Sequence, residues 1–199
     1  MKKIAFVLGG ANTLHEEFDR ALSIVEPDTI IATNNAGRDF PTDLPHWVTL
    51  HTELMPGWMA ERKAMGLPDA GQMWTSNTKT IPPEHAGLYN HVPSWDGSSG
   101  LLAITVALHL GYDRILLCGV PMDKLAAHYD DDKPWMDAPR YRAAWNRHMH
   151  KMRGKVKSWS GWTRLKLGAP TDDWICGVDR PETTVVRVQS SASVLPFRR

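Results

Sequence analysis

A chain of 199 residues that is 42% hydrophobic and 23% charged has the make-up of one globular domain spanning 1–199, and it excludes wholesale disorder, collagen-like repeats and a coiled coil. Twenty-three Lys and Arg against 22 Asp and Glu leave a net charge of +1, so no global field argues for a nucleic-acid or membrane coat. The apolar runs IAFVL and LLAITVAL fall well short of the roughly 20 residues that a bilayer span needs.

The start, Met-Lys-Lys, leads into a strand-like run with no cleavage site, and Cys118 and Cys176 are the only cysteines. A cytoplasmic location in a reducing compartment is therefore expected.

In chain order, IAFVL is a short continuous apolar run followed by Gly9 and Gly10, and apolar residues recur at helical spacing from Thr13 to Val25, which predicts strand, turn, helix. Pro27 ends the helix. Asp28 to Thr33 reads as a second strand that delivers Asn34 and Asn35 at its C-terminal edge. Trp47 to His51 reads as a third strand, and GWMAERKAMG as a short helix stopped by Gly66. Residues 67–96 show little periodicity and much Pro, Gly, Asn and His, which predicts an irregular insertion or a lid.

Order returns at SSGLLAITVALHLGYDRILLCGV, with Ser98 and Ser99 as caps, an apolar helix over Leu101 to Leu110, and a buried strand over Arg114 to Cys118. A polar stretch then leads to a helix over Arg140 to Met152, a strand near Lys155 to Trp159, a turn SGWTR, and a tail over 177–199 holding one more strand candidate, TTVVRV. Strands alternating with helices predict an α/β, Rossmann-like architecture, a mostly parallel sheet with helices on both faces.

In such a sheet, ligands bind beyond the carboxyl ends of the strands, which selects a short set of residues. Gly9 and Gly10 let backbone amides approach a ligand, and the helix starting near Thr13 adds a positive dipole end, so this turn, with Asn12, is either a phosphate cradle or a plain strand-to-helix turn. Ser98, Ser99 and Gly100 offer the same physics at a second helix start, or an ordinary N-cap. Asn34 and Asn35 carry the donors and acceptors that a ribose or base edge demands, or simply form a turn.

Asp123 could hold a divalent metal such as magnesium or orient a substrate hydroxyl, and Asp130, Asp131 and Asp132 add hard oxygen ligands or form a solvated loop. His51 and His128 are candidates to take a proton from an attacking hydroxyl. The span 140–166 holds nine Lys or Arg and no Asp or Glu, interleaved with Trp145, Trp159 and Trp162. It suits nucleic acid or a phosphate-rich ligand, or it is a basic face that balances the acidic remainder. Ser160 and Arg164 could complete a nucleotide pocket from the same span.

Three segments together resemble a known superfamily. FVLGGANTL is similar to the opening strand and G-x-G-P-S-L turn of the family 42 sialyltransferases and of the hydroxymethylpterin diphosphokinase (MptE-like) proteins, with Ala11, Asn12 and Thr13 in place of G-P-S. IIATNNA resembles their second strand and its Asn, and SSGLLAITVALHLGYDRILLCGVPMD resembles their S-G, helix, L-G-Y, strand, G-x-D segment, with Asp123 one residue beyond the usual Asp. A late strand followed by Ser is also expected, and KVKSWSG or RVQSSAS could supply it.

The resemblance implies a Rossmann-like nucleotide-binding fold and a nucleotide-dependent transferase, moving a glycosyl or diphosphoryl group to a hydroxyl. In the sialyltransferases the glycine turn, the Asn and the S-G segment hold a CMP-sugar donor and a later His is the base, a position for which His128 is the candidate. In the diphosphokinases the same edge would bind ATP with magnesium. A nucleotide-binding protein without turnover, presenting the basic face to nucleic acid, is the alternative.

Overall fold

In the structure, a computed structural model that describes residues 3–77, 81, 83–93, 95–131 and 133–178, seven strands build one sheet. They are β1 (Ile4–Leu8), β2 (Thr29–Thr33), β3 (His46–Val48), β4 (Gln72–Thr75), β5 (Tyr89–His91), β6 (Arg114–Cys118) and β7 (Val156–Ser158). Their order is β5-β4-β3-β2-β1-β6-β7, and every pairing is parallel. The helices are α1 (Leu14–Leu22), α2 (Asn34–Asp39), α3 (Met55–Ala64), α4 (Ser99–His109), α5 (Ala138–Met152), α6 (Gly161–Leu167) and α7 (Asp172–Cys176), with a 3-10 turn over Pro83–Leu88.

Period-two alternation sends the strands' side chains into two cores, as a sheet covered on both faces requires. Ala5, Val7, Ile31, Ile115 and Leu117 pack with α4 and α5, including the fully buried Trp145. Ile4, Phe6, Leu8, Leu116 and Cys118 pack on the other side with Leu14 and Ala21 of α1, Met55 of α3 and Ile175 of α7. Helix α4 is buried from Ser99 to Ala107, which explains why its sequence is apolar all round rather than striped.

The chain builds outward from β1 through β2, β3, β4 and β5, then crosses back through α4 to place β6 on the other side of β1. This reversal opens a crevice at the C-terminal ends of β1 and β6, the place where sheets of this type bind ligands.

Three expectations are corrected. Residues 67–96 are not irregular throughout: they contribute β4 and β5, which extend the parallel sheet. Strands of four and three residues are too short to show a period, and edge strand β5 (YNH) exposes two of its three side chains. Asn34 and Asn35 do not end in a turn but open helix α2, and SGWTR is not a turn but the start of α6. The tail strand TTVVRV lies outside the described residues, as does Asp132. Among the described residues no helix is long and apolar enough to cross a membrane.

Candidate functional site

A cavity of about 460 Å³ opens at the C-terminal edge of the sheet, over the crevice between β1 and β6. Its wall brings together Gly9 and Gly10 after β1, Asn34 after β2, His51 after β3, Ser98, Ser99 and Gly100 at the start of α4, and His128 from the loop before α5. The two small-residue corners thus meet in one cavity.

They meet with different chemistry. The amides of Gly9, Ala11 and Asn12 donate to the carbonyls of Cys118, Gly119 and Ala127 at 2.8, 3.1 and 2.9 Å, so they tie β1 to β6 and to the following loop. A side chain at Gly9 would overlap the Gly119 carbonyl, which is why the two backbones can close only on glycine. Glu17, 7% exposed, reaches from α1 to accept the Gly119 amide at 2.7 Å and fixes the same junction. At the other corner Ser98 caps α4, its Oγ accepting from the Leu101 amide and from Trp145 Nε1 at 3.1 Å. The amides of Ser99 and Gly100 lie in the first helical turn, where no preceding carbonyl exists to receive them, and they form the positive end of the helix dipole.

His128 lies over Gly10: any side chain at that position would collide with its Nε2. The backbone pairs there as well, with Ala11 and His128 in an antiparallel bridge and the Tyr129 amide donating to the Gly10 carbonyl at 3.0 Å. His128 Nδ1 stands 2.5 Å from Asp130 Oδ1. A carboxylate at that distance favours the proton on Nδ1, which makes Nε2, set against Gly10, the accepting nitrogen.

Asp130 is held in turn by Asn35 Nδ2 at 2.6 Å and Arg38 Nη2 at 3.3 Å, both from α2. Partial burial pushes the Asp130 carboxyl up, but the Asn35 amide, His128 and Arg38 outweigh it, so the group sits below the usual carboxylate range. Arg38 also grips Asp39, which accepts from the Tyr129 hydroxyl at 2.7 Å. Burial, with the Asp39 contact, drives the Tyr129 phenol far above its ordinary value and keeps it a neutral donor. At the mouth, Trp135 and Tyr141 stack with centroids 5.5 Å apart and offer a planar face.

Several expected residues stand elsewhere. Asn12, Thr13, Asn35, Asp123, Ser160 and Arg164 do not line the cavity. Asn35 serves it through Asp130; among the described residues Thr13 Oγ1 and Ser160 Oγ are buried without a partner, and Arg164 is exposed on α6. His51 lines the cavity, with its Nδ1 3.3 Å from Glu53 Oε1 in an exposed pair.

Asp123 is already engaged by the protein. Arg142 Nη2 donates to its Oδ1 at 2.9 Å, so a fixed positive charge sits against this carboxylate. His128, Asp130 and Asp131 bring three ligand atoms within 4.8 Å of one another, but His128, Asn35 and Arg38 already engage Asp130, and Lys133 engages Asp131 at 3.2 Å.

The basic span 140–166 does not present three stacking rings: Trp145 is fully buried and Trp159 is 9% exposed, leaving only Trp162 partly open beneath Arg142 and Lys166. Two partners of the site escaped the sequence reading. Arg38 and Thr49 are far in sequence from what they hold, and their only signal was a hydroxyl at the end of a strand and a cation one turn beyond Asn34.

No protein-family model matches the chain, and no curated protein does. Among solved structures, the chain is similar to the sialyltransferase CstII from Campylobacter jejuni. The complex with the substrate analogue cytidine-5'-monophosphate aligns with a TM-score of 0.53 at 11% identity over 86% of this chain and 86% of that one. The complex with CMP-3FNeuAc aligns with a TM-score of 0.51 at 13% identity over 86% and 89%. The likeness establishes the α/β fold.

Proposed function

We propose that this chain is a nucleotide-sugar-dependent glycosyltransferase, binding the nucleoside monophosphate of its donor in the cavity over β1 and β6. One observation carries the reading: a single cavity is lined both by Ser99 and Gly100 at the α4 N-terminus and by His128, whose Nδ1 Asp130 holds from behind. The fold neighbours, described as a sialyltransferase in complex with CMP and with CMP-3FNeuAc, support a cytidine donor. The volume of about 460 Å³ falls within the range of small-molecule sites.

The chemistry follows from the arrangement. The donor phosphate lies against Ser99 and Gly100, and the base rests on the Trp135–Tyr141 face. An acceptor hydroxyl gives its proton to His128 Nε2 while its oxygen bonds to the anomeric carbon. The bond from that carbon to the phosphate oxygen breaks, and its electron pair leaves on the nucleoside monophosphate. Negative charge growing on the phosphate meets the α4 amides, which need no reorganisation to receive it. Asp130 holds the imidazole in the tautomer that accepts at Nε2 and stabilises the imidazolium that forms. In this reading His51, which lines the same cavity, contacts the acceptor.

Thermal-shift titration against CMP, a CMP-sugar, ATP with magnesium and a single-stranded oligonucleotide tests the reading. Stabilisation by CMP and the CMP-sugar is expected. Stabilisation by magnesium-ATP alone would replace it with diphosphoryl transfer, and stabilisation by the oligonucleotide alone, steeply weakened by salt, with nucleic-acid binding.

A further inference from the structure

Asn34 adopts a left-handed backbone, φ 46°, and is gripped from three directions. Trp47 Nε1 donates to its main-chain carbonyl at 2.9 Å. Its side-chain Oδ1 accepts from Thr49 Oγ1 at 2.9 Å and from Ser99 Oγ at 3.3 Å. Thr49 is fully buried, and its Oγ1 already accepts the His51 amide at 2.8 Å. The Thr49 proton therefore needs an acceptor, and Asn34 Oδ1 is the one in reach. With both Oδ1 lone pairs engaged, Nδ2 is the amide atom left to serve the cavity that Asn34 lines.

We propose that Thr49 is a positioning residue that, with Ser99, locks the Asn34 amide so that it presents only a donor, making this wall selective for a phosphate oxygen. Ser99 thereby acts through its hydroxyl on Asn34 as well as through its amide on the ligand. Beside the Ser99 and Gly100 amides, Asn34 Nδ2 completes a wall of donors. Such a wall favours a group that accepts without donating and disfavours one that brings its own proton. This inference rests on the nucleotide-donor reading, and its failure is separable from the failure of that reading.

The test compares CMP with cytidine by calorimetry in the full chain. Thr49→Val removes the hydroxyl at nearly constant shape and is expected to weaken CMP binding about tenfold while leaving cytidine unchanged; Thr49→Ser is expected to restore CMP binding to within about twofold. A merely structural role would not be rescued in this ligand-specific way. Unchanged CMP affinity in Thr49→Val overturns the lock, and equal weakening of CMP and cytidine overturns the assignment of Asn34 to phosphate. A neutron structure of the free protein decides the lock even if CMP does not bind: Nδ2 deuterons facing the cavity support it, and deuterons facing Thr49 contradict it.

Discussion

The turn after β1 and the start of α4 look alike as sequence, each a run of Gly and small polar residues leading into a helix, and they face one another across the same cavity. Their backbone amides go to opposite uses. At Gly9, Ala11 and Asn12 the amides close onto carbonyls around β6, and the lack of a side chain at Gly10 makes room for His128. At Ser99 and Gly100 the amides stay at an open helix end, and the Ser99 hydroxyl orients Asn34. Small residues before a helix thus mark close backbone approach. Whether that approach serves a ligand or the protein's own side chains depends on what lies opposite.

The sharpest way to test this division is to remove the group that the first corner houses. His128→Ala is expected to lower glycosyl transfer by about 10²-fold or more while CMP binding stays near wild type, since a general base acts on turnover rather than on donor affinity. Gly10→Ala should lower turnover in the same direction, by displacing the imidazole. Equal activity in both variants would mean that the first corner has no part in the chemistry.

The second corner is tested by charge. Ser99→Asp places a carboxylate at the helix end that is to receive the phosphate and is expected to weaken CMP binding by about tenfold or more. Retained affinity in a calorimetric titration would remove this corner from the site.

A further substitution separates folding from binding. Gly9→Ala forces a methyl group into the Gly119 carbonyl, a backbone neighbour that cannot step aside, and is expected to destabilise the fold by about 1–3 kcal/mol in urea unfolding.

The smallest effect is in the acid limb of stability. Asp130 and Asp39 are both held below the usual carboxylate range in the fold. A carboxyl with a depressed folded pKa contributes stability above its unfolded value, about 4, and that contribution is lost as pH falls through the folded value. Asp130→Asn is therefore expected to flatten the fall in melting temperature below about pH 4. An unchanged acid limb would show that the His128 clamp adds nothing to the fold.

What was legible in the sequence, and what was not, follows from where the information lies. β1 and β6 are fully buried and α4 is buried from Ser99 to Ala107, so IAFVL, LLAITVAL and ILLC are uninterrupted apolar runs. β4 and β5 are short and lie toward or at the sheet edge, and QMWT and YNH have neither length nor pattern. In the site, the residues set by local chain geometry were foreseeable: Gly10, Asn34, Ser99 and Gly100 all stand where a strand ends or a helix begins.

Side-chain direction was not foreseeable. Asp123 turns to Arg142, Arg164 points to solvent, and Trp145 fills the core instead of offering a ring. The clamp on His128 depends on Asn35 and Arg38, whose contacts with Asp130 span 95 and 92 positions of chain, and only the folded sheet brings them together.

The central claim is that one cavity at the β1–β6 crevice receives a nucleoside monophosphate against α4, beside His128. Titrating CMP into isotopically labelled protein and following backbone and side-chain amides tests it directly. Saturable shifts confined to Gly10, Asn34, Ser99, Gly100 and the loop around His128 are the predicted result. Shifts centred on the opposite end of the sheet, around Arg114, Lys155 and Trp174, or no shifts at all, would contradict it.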